Sequence, residues 1–238
     1  MKPLIRSLSG RRLHRCGRID GMPKRVDRAA RRDEIVRTYL KIASRDGVEA
    51  ATTRALAAEL GVAVGSLWYY FSGFDEVLSR AFQLIFERTD ERISRGVGKH
   101  QGLAAITRML HEVLPVKKDT EDEAYVVVSF WGRVPANPSL GRLQVRVAEQ
   151  WRARIADHLY EAVTRHELVP QAPVAQITDM LMILTTGAQV EYVLHTPIAR
   201  RERQWRAVHH CLSGWLTDQG ARASGLLEPT RIPAAPEA

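Results

Sequence analysis

The sequence predicts an all-α protein built from a small N-terminal domain and a larger C-terminal helical domain. Apolar residues recur at helical spacing from Asp33 onward, and prolines and glycines interrupt this pattern at intervals. No segment alternates convincingly as a strand, although 125–128 is β-prone by composition. At 238 residues, of which 45% are hydrophobic and 26% charged, the chain has the length of two domains and enough apolar material to bury a core.

Positive charge is concentrated at the N-terminus. The net charge is +8, and residues 1–32 hold eleven Lys and Arg against Asp20 and Asp27, which leaves the remainder close to neutral. A basic arm on a near-neutral body is typical of a protein that meets phosphate groups at one end. The alternative for 1–21 is a solvated tail, and Met22 is a candidate start of a shorter chain.

Several other classes of protein find little support. No apolar run has the length of a signal peptide or of a transmembrane helix, so we expect a cytoplasmic protein with no membrane partner. Cys16 and Cys211 are too few and too far apart for a disulfide framework or a metal knuckle, and the histidine pairs lack the spacing of a ligand fork. Because no nucleotide-binding, hydrolase or metalloprotease motif is present, we expect no enzyme activity, no metal and no cofactor.

Region 33–78 predicts three short helices. The first starts at Asp33 and stops at Gly47, which suits a helix C-cap. The second covers 54–60 behind a threonine cap, and the third runs over 63–70 after a Gly-Val break. Short helices separated by a glycine turn form a helix-turn-helix, the arrangement that places one helix in the major groove of DNA.

The segment TTRALAAELGVAVGSLWYYF, Thr52 to Phe71, resembles the DNA-reading motif of the tetracycline-repressor (TetR) family of bacterial regulators. The resemblance extends over about 35–78 and is carried by residues in a fixed order. These are Gly47, Thr53-Arg54, Leu56-Ala57, Gly61-Val62, Gly65-Ser66-Leu67 and the aromatic run Trp68 to Phe71. The resemblance implies a ligand-responsive transcriptional repressor that binds a near-palindromic double-stranded DNA operator as a homodimer and is released by a small-molecule effector.

Three positions depart from the family pattern. Ala63 stands where a Ser or Thr commonly caps the third helix, Val64 stands where a polar or basic residue follows, and Phe74 stands where a phosphate-binding Lys is common. These departures remove polar contacts from the reading helix. We therefore expect the basic arm to carry more of the electrostatic attraction to DNA.

The expected DNA-binding residues cluster around the second and third helices. Residues that reach base edges lie near the N-terminus of the helix in the groove, where Gly65 allows close approach, Ser66 hydrogen bonds and Val64 contacts a thymine methyl. The resemblance implies base reading by Arg54 and phosphate contacts by Thr53 and the aromatic residues. The full set is Thr53, Arg54, Val64, Gly65, Ser66, Trp68, Tyr69 and Tyr70, with Arg28, Arg31 and Arg32 from the arm. A helix cap at Thr53, a solvated Arg54 and a core Tyr70 are the alternatives.

Behind the DNA-binding domain, 79–220 predicts a helical ligand-sensing and dimerisation domain, and 221–238 a disordered tail. A fourth helix, from about 75 to 94, would join the two domains. Further helices are predicted at roughly 101–114, 121–134, 138–166, 173–195 and 199–218. The resemblance implies that the last two pair with their twofold mates in a four-helix bundle, a bundle within one chain being the alternative.

A ligand cavity is expected among helices four to eight. The bulky residues expected to line it are Met109, Phe130, Trp131, Trp151, Met182 and Tyr192, with simple core packing as the alternative. Two other function classes stay open. A constitutive, weakly specific architectural DNA-binding protein would use the same arm without a ligand response. An enzyme on a regulator's fold is the other, although no residue set supports it.

Overall fold

The computed structural model describes residues 28–224, and the regular elements within that range are helices. The predicted arm up to residue 27 and the predicted tail beyond 224 lie outside the described residues. The helices are α1 (Arg28–Asp46), α2 (Thr53–Glu59), α3 (Val64–Leu67), α4 (Phe74–Val97), α5 (Gly102–Val113), α6 (Lys118–Arg133), α7 (Pro138–Thr164), α8 (Val174–Val193), α9 (Arg201–Ser213) and α10 (Asp218–Ser224). Single 3-10 turns occupy Val48–Ala50, Val134–Ala136 and Pro197–Ala199.

The predicted all-α fold class is confirmed. The β-prone residues 125–128 lie inside α6, which buries Thr120 and Ala124 on one side and Val126 and Phe130 on another, each pair four residues apart. Because α6 packs against α1, α4 and α8, tertiary packing decides the conformation that local composition left ambiguous. No helix within 28–224 is both long enough and apolar enough to cross a membrane.

Two helix boundaries differ from the sequence prediction. Helix α1 begins at Arg28, so three arginines assigned to the arm, Arg28, Arg31 and Arg32, belong to its first turns. The predicted last helix is divided, and α10 continues to Ser224, past the predicted start of the tail at 221. The chain turns between α9 and α10 because this connection is bound to the end of α7: Val169 N–H donates to the Trp215 carbonyl at 2.9 Å, and the Thr217 hydroxyl donates to the His166 carbonyl at 2.6 Å.

Buried apolar side chains form two clusters. The first joins α1, α2, α3 and the first half of α4, and it is completed by Val126 and Phe130 of α6 and by Leu140 and Leu143 of α7. The second joins the end of α4 with α5, α7, α8 and α9. Helices α4 and α7 supply residues to both clusters. The cluster beneath the helix-turn-helix therefore extends beyond the predicted domain boundary at 78.

Candidate nucleic-acid interface and adjoining cavity

The helix-turn-helix is held by local hydrogen bonds and by its buried face. The Thr52 hydroxyl accepts the Ala55 N–H at 3.2 Å and caps α2. Gly61, in the turn, has φ +65, a conformation that favours glycine. Leu56 and Leu67 are buried beneath α2 and α3, which fixes the opposite face of both helices toward solvent.

The solvent-facing side of α2 and α3 is rich in residues suited to DNA. Arg54, Gly65 and Ser66 are exposed, and the Arg54 side chain makes no hydrogen bond or ion pair within residues 28–224. Tyr69 is 71% exposed and Trp68 is 40% exposed. Two adjacent large aromatic side chains with this much exposed surface form an apolar patch, and such patches are typical of interaction sites. We refer to residues 28–81, which carry this face, as the reading head.

Arg32 ties α1 to the loop between α3 and α4. Its guanidinium donates to the Tyr70 carbonyl at 2.6 Å, pairs with Glu76 at 2.6 Å and lies 4.4 Å from the centre of the Phe71 ring. Glu76 also accepts the Ser72 N–H at 2.7 Å and the Ser72 hydroxyl at 2.8 Å. The hydrogen bond from the Ser72 N–H is the main cause that lowers the pKa of Glu76 to about 2, and Arg32 lowers it further, while partial burial acts in the opposite direction. This Arg32–Glu76–Ser72 contact fixes the end of the reading helix relative to α1 and α4.

The other two arginines of the first turns of α1 are placed differently. Arg28 donates to the Tyr69 carbonyl at 3.3 Å and lies 5.6 Å from the centre of the Tyr69 ring. Arg31 pairs with Glu34 at 2.5 Å on the surface of the same helix. Arg28 thus lies beside the most exposed aromatic residue of the reading head, whereas the charge of Arg32 is engaged by Glu76.

A cavity of about 90 Å³, partly open to solvent, lies behind the reading head among α4, α5, α6, α7 and α8. Its apolar wall combines aliphatic side chains with four aromatic rings, those of Phe82, Phe86, Trp131 and Trp151. The Phe82 ring continues into the first core cluster, where it stacks on Phe130 with 4.0 Å between ring centres. A concave, mainly apolar wall with a few polar groups is typical of sites for small organic ligands.

The polar side chains of this cavity come from two glutamines, two glutamates and four threonines. Gln144 Oε1 accepts the Trp131 indole N–H at 2.7 Å. Gln189 Nε2 donates to the Val113 carbonyl at 2.7 Å, and Gln189 Oε1 is buried without a hydrogen-bond partner. The carboxylates of Glu112 and Glu123 also line the cavity.

Arg92 of α4 lies behind these two carboxylates. Its Nε donates to Glu112 at 3.1 Å, and its Nη2 donates to Glu123 at 2.7 Å. The same nitrogen donates to the Thr89 hydroxyl at 2.9 Å. Arg92 therefore joins α4 to α5 and α6 at the border of the cavity.

Comparison with known proteins adds two family matches. The model described as bacterial regulatory proteins of the tetR family matches residues 35–81, and the model described as BetI-type transcriptional repressor, C-terminal, matches residues 103–217. One match covers the reading head and the other covers the helices around the cavity. The chain belongs to the TetR family. It is a transcriptional regulator of the TetR type with a DNA-binding helix-turn-helix.

Named relatives agree with this assignment to the TetR family. The chain is 32% identical over 110 residues to the HTH-type transcriptional regulator PksA of Bacillus subtilis (strain 168), a match that covers 46% of this chain and 54% of PksA. It is 22% identical over 172 residues to the HTH-type nicotine-responsive transcriptional repressor HdnoR of Paenarthrobacter nicotinovorans, covering 71% of this chain and 86% of HdnoR. The chain thus spans about half the length of PksA and most of HdnoR.

Solved structures share the TetR-family fold at low sequence identity. A TetR transcription regulator from Haloarcula marismortui ATCC 43049 aligns with a TM-score of 0.68 and 16% identity, covering 79% of this chain and 100% of that chain. A transcriptional regulator from Saccharomonospora viridis, in complex with choline, aligns with a TM-score of 0.67 and 18% identity, covering 78% and 95%. A regulator from Rhodococcus sp. Rha1 aligns with a TM-score of 0.63 and 19% identity, covering 77% and 97%.

The residues predicted for DNA binding lie mainly on one face. Arg54, Val64, Gly65, Ser66, Trp68 and Tyr69 are exposed there, while Thr53 and Tyr70 are partly buried. Thr52, the residue before Thr53, provides the cap. The Arg32 contact with Glu76 was missed, because the two residues are 44 positions apart and nothing in their local pattern links them.

The six residues predicted to line a TetR-type ligand cavity are divided by the structure. Trp131, Trp151 and Met182 line it. Met109 is buried in the second core cluster, and Phe130 stacks on Phe82 in the first. Tyr192 packs edge-on against Tyr125, with 6.0 Å between ring centres, and burial raises its pKa to about 12. The sequence prediction chose these residues for their size. It missed the polar lining from Glu112, Glu123 and Gln189, because that lining depends on which helix faces meet.

Proposed function

We propose that this protein is a ligand-responsive repressor that binds a near-palindromic operator as a homodimer and is released when a small molecule occupies the cavity. The single observation that carries this proposal is the position of α4. Val77 and Leu78, near its start, are buried in the core of the reading head, and Phe86 and Thr89, two to three turns later, line the cavity. A ligand that shifts α4 therefore changes the position of the reading helices.

Contacts at the far end of α6 support the same coupling. The Arg133 guanidinium pairs with Asp75 in the first turn of α4 and lies 5.5 Å from the centre of the Phe74 ring. The Asn137 amide donates to the other oxygen of Asp75 at 3.3 Å. Since Trp131 of the same helix lines the cavity, α6 connects the cavity wall with the start of α4 as well.

The proposed contacts with DNA follow from exposure and chemistry. Arg54 is free to reach a guanine edge or a phosphate, and Gly65 and Ser66 let α3 approach the bases closely. Tyr69 and Arg28 lie together at the edge of this face, where a phosphate would accept hydrogen bonds from both. The arm before residue 28 would add sequence-independent attraction.

An apolar stripe on α8 supports the proposed dimer. Met180 is 51% exposed and Ile183 is 71% exposed on one side of the helix, and Leu194, which caps its end on the same side, is 64% exposed. The apolar face of α9, in contrast, is used inside the subunit, where Trp205 and Leu212 are buried. We therefore propose that α8 provides most of the apolar contact with the partner, with the outer face of α9 beside it.

Two related proteins support a small-molecule effector. One is named as a nicotine-responsive repressor, and another was crystallised with choline. The cavity here has the mainly apolar lining with a few polar groups that is typical of small-molecule sites.

DNA footprinting upstream of the protein's own gene tests the repressor proposal. Calorimetry then measures ligand affinity with and without the footprinted DNA. A discrete protected site and a ligand that binds less tightly to the DNA-bound protein are expected, because coupling between two binding sites is reciprocal. Uniform binding along DNA would point instead to an architectural protein. A tight ligand with the same affinity in both states would contradict induction.

A further inference from the structure

We propose that the cavity recognises a protonated amine attached to an apolar, preferably aromatic, body, with the ammonium group held by Gln189, Glu112 and Glu123. The inference rests on the proposed ligand response of this cavity and specifies its chemistry. Three features of the lining carry it: an unpaired buried acceptor, two carboxylates and an aromatic wall.

The unpaired acceptor is the side-chain oxygen of Gln189. This side chain lines the cavity and is 9% exposed. Its amide nitrogen already donates to the Val113 carbonyl, which fixes the orientation of the amide and leaves Oε1 without a donor. A buried acceptor without a partner is unfavourable, so the site favours a ligand that brings an N–H or O–H group.

The carboxylates determine the charge of that donor. Glu112 and Glu123 line the cavity with side chains that are 17% and 19% exposed, and no Lys or Arg is among the described residues that form its wall. Two cations outside this wall pair with them: Arg92 contacts both carboxylates, and Lys117 contacts Glu112. Arg92 borders a second, more polar cleft between α1, α4 and α6. An anionic ligand would meet two carboxylates at short range, whereas an ammonium group would be attracted by both.

The aromatic wall is compatible with the same charge. Phe86 and Trp151 lie with 6.1 Å between ring centres, and Trp131 lines the cavity from α6. The faces of aromatic rings attract cations, most strongly when water is excluded. The rings also accommodate the apolar body of the ligand. The lining therefore suits a cation with an apolar body better than a neutral or acidic ligand of similar shape.

The arrangement also suggests how such a ligand acts on α4. Arg92 belongs to α4, and its guanidinium holds Glu112 of α5 and Glu123 of α6. An ammonium group that enters between these carboxylates competes with Arg92 for them. Binding thereby weakens a contact that joins α4 to its neighbours, and α4 carries the reading head at its other end.

Matched ligands on the intact protein test the proposal. Phenethyl, indolylethyl and naphthylmethyl bodies, each prepared as the primary amine, the trimethylammonium, the alcohol and the carboxylate, are ranked by calorimetry and by release of the footprinted DNA. We expect the primary amine to bind best on at least one body, by roughly tenfold over its alcohol. The trimethylammonium should fall between the two, since it keeps the charge but has no N–H for Gln189. The carboxylate should bind most weakly.

Variants then separate the contributions of the lining groups. Gln189→Met should weaken binding of the primary amine roughly tenfold and leave the trimethylammonium nearly unchanged. Gln204→Met is the matched control, because the Gln204 amide also donates to a backbone carbonyl and has a buried, unpaired oxygen, but lies on α9 outside the cavity wall. Arg92→Gln should strengthen amine binding, since it removes the competing cation, whereas Arg95→Gln on the exposed side of α4 should not. The unfolding temperature without ligand reports whether each variant is folded.

The outcomes distinguish this inference from the repressor proposal. An alcohol or carboxylate that binds and releases DNA as well as the amine would overturn the amine assignment and leave the ligand response intact. Failure of all amines to bind, while another class binds, would do the same. If an amine binds tightly but does not change DNA affinity, the cavity chemistry stands and the proposed induction fails. Equal loss of amine binding in the Gln189 and Gln204 variants would remove Gln189 from the ammonium site.

Discussion

The reading head and the cavity differ in how their functional residues are distributed along the chain. Apart from Arg28 at its edge, the surface proposed to face DNA comes from one continuous segment, 52–71, whose spacing is set by two short helices and a turn. The cavity draws its wall from α4, α5, α6, α7 and α8, so its lining extends from Phe82 to Gln189. A site made by one segment leaves a recognisable sequence pattern, and a site made by five helices does not.

The two regions also differ in how they complete their cores. The second cluster is formed by helices around the cavity, whereas the reading head has its buried face completed by Val126 and Phe130 of α6 and Leu140 of α7. The Ser44 hydroxyl donates to Asp122 at 2.6 Å, which adds a polar contact between α1 and α6. The reading head therefore depends on helices that also line the cavity, although its sequence motif ends before them.

The largest expected effect tests this shared core. Phe130 is fully buried and stacked on Phe82, so Phe130→Ala should lower the free energy of unfolding by about 3–5 kcal/mol. It should also reduce operator binding under conditions where most of the protein remains folded, because the missing ring leaves a void beneath the reading head. Denaturant titration and operator affinity are the measurements.

Met109→Ala is the matched control for that variant. Met109 is equally buried but belongs to the second cluster, and its loss should cost about 2–5 kcal/mol of unfolding free energy. We expect it to spare operator affinity at temperatures where the variant is folded. Equal effects of both variants on DNA binding would show that the two clusters act as one unit, which would contradict the distinction drawn here.

The next effect concerns the outer face of α8. Ile183→Arg places a charge at the centre of the exposed apolar stripe, so the proposed dimer should dissociate. Operator affinity should fall roughly a hundredfold or more, because two linked reading heads bind far better than one. Sedimentation measures the oligomeric state. Val145→Arg, on the exposed surface of α7, is the control and should remain dimeric.

The sequence predicted the reading head more fully than the cavity for physical reasons. Leu56, Leu67 and Phe71 recur at spacings that local helix geometry explains, and all three are buried. The role of Arg32 could not be predicted, since its partner Glu76 lies on another helix. Predicting the cavity requires knowing which helix faces meet. Residue size alone did not distinguish Trp131, which lies in the cavity wall, from Phe130, which is packed in the core.

A smaller effect is expected at Arg54. If it reads a base, Arg54→Ala should weaken operator binding by about 1–3 kcal/mol and leave random DNA nearly unchanged. Equal loss on both DNAs would assign Arg54 to a phosphate instead. Arg95→Ala, an exposed arginine near the end of α4, is the control and should change neither affinity. Fluorescence anisotropy with operator and random duplexes decides between these outcomes.

The smallest effect concerns the Arg32–Glu76–Ser72 contact and depends on pH. The Ser72 N–H and Arg32 lower the pKa of Glu76 from 4.5 to about 2, so the ionised carboxylate favours the folded state. This contribution is fully present above about pH 4.5 and is lost as the pH falls toward about 2. Because about a third of the side chain is exposed, solvent screening limits it to about 1 kcal/mol or less.

Glu76→Gln should therefore lower the free energy of unfolding at neutral pH, and the difference from the parent protein should shrink as the pH falls from 4.5 toward 2. Denaturant titrations at several pH values measure this difference. Glu87→Gln removes a surface ion pair with Arg80 and is the control, with a smaller expected loss at neutral pH. If the difference in unfolding free energy between Glu76→Gln and the parent protein stays constant from pH 7 to pH 3, the side chain stabilises the reading head through packing alone. In that case Arg32 would be held mainly by the Tyr70 carbonyl and the Phe71 ring.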